Sequence, residues 1–410
     1  MALLGIEGFD AYLGTSTNDW CASATQLSMA ITAGGAKSNT WQTGRSTRGQ
    51  AIRLASSASL NVPTVLASGI CTADGPFYVG FACYLGSANV NDGTPQWHTI
   101  AAFGINSTHT TTSHINLQFS TSTGEFRFYR PLGTNDFGTE TSGHTPTPWQ
   151  TWVYLEMGMV MHATTGTLTL LQDGVSVIAA TGLDTSVATV GTKTTVNIGS
   201  SYVADTDRFD TDYDDWYIGD DQFYGPCYVS SLTPTADDTP LEWTPSTGAN
   251  YATVDELPLV TTDYNQVTSH ASIVYEDILT TLSALPYAPA NIYGVTARFI
   301  GKAQTSNATS VDASLKRAGT TYRSASPLNV AAVRAYYTCD LLKELDPSTA
   351  AAWTQSGVEA CGIGYRTQID ASANTVDIYA THLQVLHSIT EDAGGGGAGA
   401  AGLILVVMNG

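Results

Sequence analysis

Between His114 and Ala180 the chain alternates apolar and polar residues with a period of two, and short turn signals break the alternation at regular intervals. The run HINLQF sets Ile115, Leu117 and Phe119 on one face and Asn116 and Gln118 on the other, because successive side chains of a strand point to opposite sides. STSTG turns the chain, and EFRFYR returns with Phe126 and Phe128 in the same phase. TWVYLEMGMVMH then aligns Val153, Leu155, Met157, Met159 and Met161, and ATTG leads into TLTLLQ. Asp173-Gly174 separates that run from VSVIAA, and Asp-Gly between alternating apolar runs is a strong hairpin signal. An antiparallel meander with one apolar face needs a second sheet to cover it, so the expectation is an all-β fold with an N-terminal β-sandwich. The methionine row is read as part of that core rather than as a sulfur ligand patch.

A length of 410 residues accommodates two domains, each able to bury a core. The alternation fades in residues 233–258, a stretch rich in Pro, Thr and Asp. This places a β-sandwich at 1–235, a linker at 236–262 and a second β-rich, jelly-roll-like domain at 263–392. Within the second domain NIYGVTARFIG, VDASLKRAG, TYRSASPLNV, AYYTCDLLKEL and VEACGIGYRTQ read as strands. Asp346 and Pro347 read as the N-cap and first residue of a short helix, one of one or two expected there. Residues 393–410 form a glycine-rich tether followed by the apolar octapeptide LILVVMNG.

The charge balance narrows the partners. Sixteen Lys and Arg stand against 36 Asp and Glu, a formal net charge of −20, and charged residues are only 13% of the chain. No basic stripe is available to neutralise phosphates, which argues against nucleic acid and against an anionic membrane. MALLGIEGFDAYL lacks a basic leader and its apolar run breaks at once; no later stretch has the length of a membrane span, so no membrane insertion is expected. Cys21, Cys71, Cys83, Cys227, Cys339 and Cys361 form no CxxC pair and read as buried thiols, consistent with assembly in a reducing cytoplasm. On that view the sequons at Asn106 and Asn307 carry no sugar.

Motifs for catalysis are sparse. GRSTRG at 44–49 lacks the spacing of a GxSxG elbow, the histidines form no HExxH pair, and neither a P-loop nor a dinucleotide fingerprint is present. His98, His109 and His114 lie in Thr/Ser-rich sequence and read as solvated side chains. Glycoside hydrolysis needs two carboxylates on one face, but Glu156 is the one acid within its strand and Glu125 sits at a turn. The expectation is a protein that is not an enzyme and requires no cofactor.

ADTDRFDTDYDDWYIGDD, residues 204–221, holds eight carboxylates and one cation, Arg208. Asp210, Asp212, Asp214 and Asp221 match positions 1, 3, 5 and 12 of a calcium hand, which makes a weakly bound Ca²⁺ one reading. Position 6 is Asp215 where the loop wants glycine, and no flanking helices are expected, so a strand starting at Asp214 fits the stretch better. Tyr202, Tyr213, Trp216, Tyr217 and Tyr224 cluster around it and form a candidate glycan-binding platform, although Tyr and Trp are also ordinary sheet residues.

EGFDAY at 7–12, TGRSTRGQAIRL at 43–54, FYVGFACYL at 77–85, LQDG and YDDWYIGDD together resemble the laminin-G/concanavalin-like domain of tailed-bacteriophage virion proteins. LEWTPSTGANYATVDE, NIYGVTARF and DPSTAAAWTQSGVEA resemble the β-rich module that follows it in such proteins. The resemblance spans roughly residues 1–370; the acidic stretch at 205–213 and the tail at 403–410 depart from it. It implies a structural component of a virion, a head or tail fibre, spike or decoration, that presents a sandwich to the host surface. The alternatives are a carbohydrate-binding module, with host-surface polysaccharide as partner, and a polysaccharide depolymerase. Leu403, Ile404, Leu405, Val406, Val407 and Met408 are too apolar to stay in water, and they read as an assembly strand that joins copies of the chain or other virion proteins. The expected oligomer is a homotrimer.

Overall fold

The computed structural model describes residues 3–10, 28–32, 40–45, 50–55, 64–71, 76–89, 97–104, 114–130, 135–139, 147, 150–185, 194–198, 208–258, 260–269, 273–304, 309–324, 328–330, 337–367 and 374–389. Among them the chain is all-β, and every strand pairing is antiparallel. No helix among the described residues is long and apolar enough to cross a membrane. Residues 403–408 lie outside the described residues.

Two sandwiches are present. In the first, an eight-stranded sheet runs in the order Val175–Leu183, Gly166–Gln172, Trp152–Val160, Pro76–Asn89, Arg208–Gly219, Gln50–Ala55 and Thr40–Thr43; Leu3–Glu7 pairs with the end of Arg208–Gly219. The facing seven-stranded sheet includes Phe126–Arg130, His114–Ser120 and Trp97–Gly104 in its centre. The core between them contains the residues the alternation marked: Ile115, Leu117, Phe119, Phe126, Phe128, Val153, Leu155, Met157 and Met159, with Met161 at its margin. His98 departs from its expected solvated state, since it is fully buried on the central Trp97–Gly104 strand. Cys83, Cys227 and Cys361 are free and buried.

The second sandwich begins earlier than expected. Tyr228–Leu232 already pairs with Asn374–Ile389, and Pro234–Leu241 pairs with Glu276–Leu282 on the opposite sheet. The stretch read as a linker at 236–262 is therefore largely part of this domain: it also supplies Thr244–Pro245 and a single 3-10 turn at Tyr251–Thr253. Proline and threonine masked its strands because an edge strand tolerates residues that cannot donate to the ladder. The expected helix at Asp346 is corrected too. The Asp346 carboxylate accepts from the Ser348 N–H at 2.9 Å and its hydroxyl at 2.7 Å, and Ala350 takes a φ of 55°, which ends any helical turn there. A short helix, Gln355–Glu359, the one α-helix among the described residues, starts a few residues later, with the Thr354 hydroxyl accepting from the Gly357 N–H at 3.0 Å.

The outer face of the eight-stranded sheet is not solvated. Leu3, Ile6, Ala82, Tyr154 and Tyr217 from the first sandwich pack with Tyr224, Cys227, Val229 and Leu386, against partly buried Tyr293 and Leu342 of the second. Both faces of the Trp152–Val160 strand are thus covered, and Glu156, on its outward side, is completely buried.

Candidate functional site

The site lies at the rim of this junction, and a bulge in the acidic strand creates it. Arg208–Gly219 pairs with Pro76–Asn89, but the register slips between Asp214 and Tyr217, and Asp215 takes a φ of 51°. A left-handed residue without glycine costs about 1–2 kcal/mol, so the packing around it must hold the conformation. The bulge breaks the strand's alternation here: neighbouring Asp214 and Asp215 are both buried, and their carboxylates both engage Arg45.

The groups interlock. Asp214 Oδ2 accepts from the Arg45 backbone N–H at 2.8 Å, and Asp214 Oδ1 from the Asp215 N–H at 2.8 Å. Asp215 Oδ1 accepts from the Val229 N–H at 2.8 Å, while its Oδ2 faces Arg45 Nη1 at 3.5 Å. Arg45 Nη1 also donates to the Cys227 carbonyl at 2.9 Å. The guanidinium lies 4.3 Å from the centre of the Tyr228 ring and 5.2 Å from that of Tyr154. Around them opens a cleft of about 420 Å³, lined also by Asp10, Gln50, Ser230, Ser231, Leu257, Pro258, Pro286 and Tyr287. The Tyr228 and Tyr287 rings pack 5.8 Å apart at 45°. Gln50 Oε1 has no hydrogen-bond partner.

Three carboxyls against one guanidinium change the protonation of the cleft. Burial pushes Asp10 up to about 7; hydrogen bonds from Ser231 and the Gln50 backbone oppose this, and the charges of Asp215 and Glu7 add to it. Burial raises Asp215 to about 6, with Arg45 holding it down. Asp214 is raised well above the ordinary carboxylate range by burial and by its two acidic neighbours. Near neutral pH this cleft can therefore hold and release a proton, and it offers hydrogen-bond donors and acceptors beside aromatic rings.

The residues marked from sequence are placed differently. Asp210, Asp212 and Asp214 lie along an extended strand, not a loop that curls around an ion, and the strand starts at Arg208, earlier than the Asp214 start expected. Arg53 takes Asp212 in a two-point grip, at 2.6 and 2.8 Å. Asp214 belongs to the cleft, and Asp221 accepts from the Tyr224 hydroxyl at 3.0 Å. Among the described residues no group of three or more His, Cys, Asp or Glu is arranged to hold a metal ion. Asp212, Asp214 and Asp221 thus turn to separate partners, unlike the ligands of the calcium loop expected from sequence.

The aromatic platform is corrected as well. Tyr213 and Trp216 are buried in the first core, where the Tyr213 hydroxyl donates to the Ile100 carbonyl at 2.8 Å. Tyr217 and Tyr224 are buried at the junction, Tyr217 donating to Glu156 at 2.6 Å. No ring face remains open on any of these four to stack on a sugar; Tyr202 lies outside the described residues. Sequence reasoning missed Asp10, Arg45, Gln50, Tyr228 and Tyr287 as site residues. The first three sit inside EGFDAY and TGRSTRGQAIRL, two of the stretches that carry the family resemblance.

No family model matches the sequence, and no curated protein matches it. Solved structures similar to the chain include the alginate lyase Aly36B, at 11% identity and a TM-score of 0.36, covering 52% of this chain and 95% of that one. The endo-beta-1,4-glucuronan lyase from the fungus Trichoderma reesei matches at 13% identity and a TM-score of 0.33, covering 53% and 95%. The binding domain of Paraclostridial Mosquitocidal Protein 1 matches at 9% identity and a TM-score of 0.35, covering 68% and 70%. At these TM-scores none of them assigns an activity. The expectation that the chain is not an enzyme finds no support in these comparisons, which include two polysaccharide lyases.

Proposed function

We propose that the chain binds a neutral polysaccharide in the cleft at the junction of its two sandwiches. The observation that carries this reading is the cleft itself: the Tyr228 and Tyr287 rings lie beside Arg45, Gln50, Ser230 and Asp10 in one concave surface. A sugar presents an apolar face to an aromatic ring and hydroxyls that both donate and accept, and this lining meets both demands. A net charge of −20 works against a uronate-bearing chain, which leaves neutral glycans as the favoured class. The resemblance to tailed-phage virion proteins supplies the setting we propose, a virion protein that holds host-surface polysaccharide. Titration of the whole protein with neutral and uronate oligosaccharides of equal length tests the reading. Saturable binding of the neutral series alone is expected; binding of neither series overturns it.

A further inference from the structure

Ser230 lines the cleft on the Tyr228–Leu232 strand, and its hydroxyl lies 2.9 Å from Nε2 of His387. The contact follows from the strand register: His387 sits opposite Tyr228 on Asn374–Ile389, which makes it the diagonal neighbour of Ser230 on the same face. His387 is fully buried, and its ring stacks on Tyr228 with centroids 6.1 Å apart at 26°. Its orientation is therefore set by packing. Burial pushes its pKa down to about 4, opposed by the Ser388 backbone, so the ring is neutral at pH 7. A neutral imidazole can accept the serine proton at Nε2. Nδ1 has no partner in hydrogen-bond geometry, so no carboxylate strengthens this base as in a full triad.

We infer that Ser230 and His387 form a nucleophile–base pair that removes an acyl ester group from the glycan bound in the cleft. An ester suits a pair without a third carboxylate, because its carbonyl is more electrophilic than an amide's and its leaving alkoxide needs only one proton. Ser230 Oγ bonds to the acyl carbon while its proton passes to His387 Nε2. The bond from that carbon to the sugar oxygen breaks, and the imidazolium returns the proton to the departing sugar hydroxyl. Water, deprotonated by the same imidazole, then releases the carboxylic acid and restores Ser230. Arg45, the cation in the lining, supplies positive potential for the oxyanion. The sugar as substrate rests on the proposed polysaccharide binding; the acyl chemistry rests on the Ser230–His387 contact alone.

The test uses the whole protein, a fluorophosphonate reporter and an O-acetylated neutral oligosaccharide. Peptide mass analysis is expected to place the phosphonyl group on Ser230, with acetate released from the oligosaccharide. Ser230→Ala is expected to abolish both signals with an unchanged melting temperature. His387→Gln is expected to slow labelling by about 10²-fold or more, the usual contribution of a general base; should that variant not fold, Ser230→Ala decides alone. A folded wild-type protein left unlabelled at Ser230, or a His387→Gln variant labelled at the wild-type rate, overturns the inference. Neutral glycan binding without labelling sinks the acyl chemistry and keeps the binding reading, and labelling without glycan binding does the reverse.

Discussion

Arg298 of the second sandwich donates to Glu7 of the first at 2.6 Å, and both side chains are almost wholly removed from water. Glu7 also accepts from the Phe9 N–H at 2.8 Å and from Gln384 at 3.2 Å, and Arg298 reaches the Ile6 carbonyl at 3.3 Å. The pair thus ties Leu3–Glu7 to the sheet that carries Pro289–Ala303. Desolvating two charges nearly cancels their attraction, so such a pair fixes the register of the junction more than it adds stability.

The consequence is measurable by double-mutant cycle. Arg298→Met takes away the guanidinium bonded to the buried Glu7 carboxylate and should cost about 3–5 kcal/mol in urea unfolding. Adding Glu7→Gln should recover most of that loss. Additive losses in the double variant would show that the two side chains do not act as a pair.

Asp277 links stability to pH. It is fully buried in the second sandwich, where it accepts from the Glu242 and Trp243 N–H groups and from Asn250, at 2.6, 2.9 and 2.6 Å. Burial raises it to about 6, against those hydrogen bonds. A carboxyl with a raised folded pKa gives stability that is full below its unfolded value near 4 and is lost as pH rises through about 6. His382, lowered to about 3 by burial and by Arg298, acts in the opposite direction as pH falls. The readout is therefore a difference: between pH 4.5 and 7.5 the melting temperature of Asp277→Asn should fall less than that of the wild type. Parallel curves would remove Asp277 as the titrating group.

Gly80 is required by a ring. Tyr217 lies over it across the paired strands, and a methyl group at position 80 would overlap the ring carbons. Tyr217 is fully buried and bonded to Glu156, so it cannot move aside. Gly80→Ala should cost about 1–3 kcal/mol, and Tyr217→Phe in the same chain should not restore it, since the ring remains. Wild-type stability in Gly80→Ala would mean the ring can shift.

How much of this was legible depends on distance along the chain. The inward positions Ile115, Leu117, Phe119, Val153 and Leu155 were readable because a period of two is local and survives any tertiary context. Tyr154 and Glu156 read as an outward face, since nothing near them in sequence announces that the second sandwich will cover it. The cleft was least legible. It joins Asp10, Arg45, Asp214, Tyr228 and Tyr287, and it depends on a left-handed Asp215 where a bulge would ordinarily call for glycine. The acidic stretch drew attention for its charge, but the charge is handled residue by residue, by Arg53 in one place and Arg45 in another.

Tyr287 separates binding from folding. Its ring is half-buried at the cleft and meets Tyr228, so truncation should disturb the ligand more than the core. Tyr287→Ala should weaken neutral oligosaccharide binding roughly tenfold, equivalent to about 1.4 kcal/mol, with little change in melting temperature. Unchanged affinity in calorimetry would place the sugar elsewhere.

Arg45 should matter most where Asp215 is charged. Its guanidinium faces Asp215, rests on Tyr228 and holds the Cys227 carbonyl, so it anchors the bulge to the second sandwich. Arg45→Met removes the charge and keeps much of the apolar stem. At pH 8 Asp215, raised to about 6 even with Arg45 present, is ionised and would be left buried without a cation. At pH 5 it is largely protonated, a neutral carboxyl needs no cation, and only the ring contact and one hydrogen bond are lost. The expected penalty is about 3–5 kcal/mol at pH 8 and about 1–2 kcal/mol at pH 5. Thermal unfolding of both proteins at the two pH values measures the difference. A penalty equal at pH 5 and pH 8 would mean that Arg45 acts through packing on Tyr228 alone, and that the charge of Asp215 is balanced by another group.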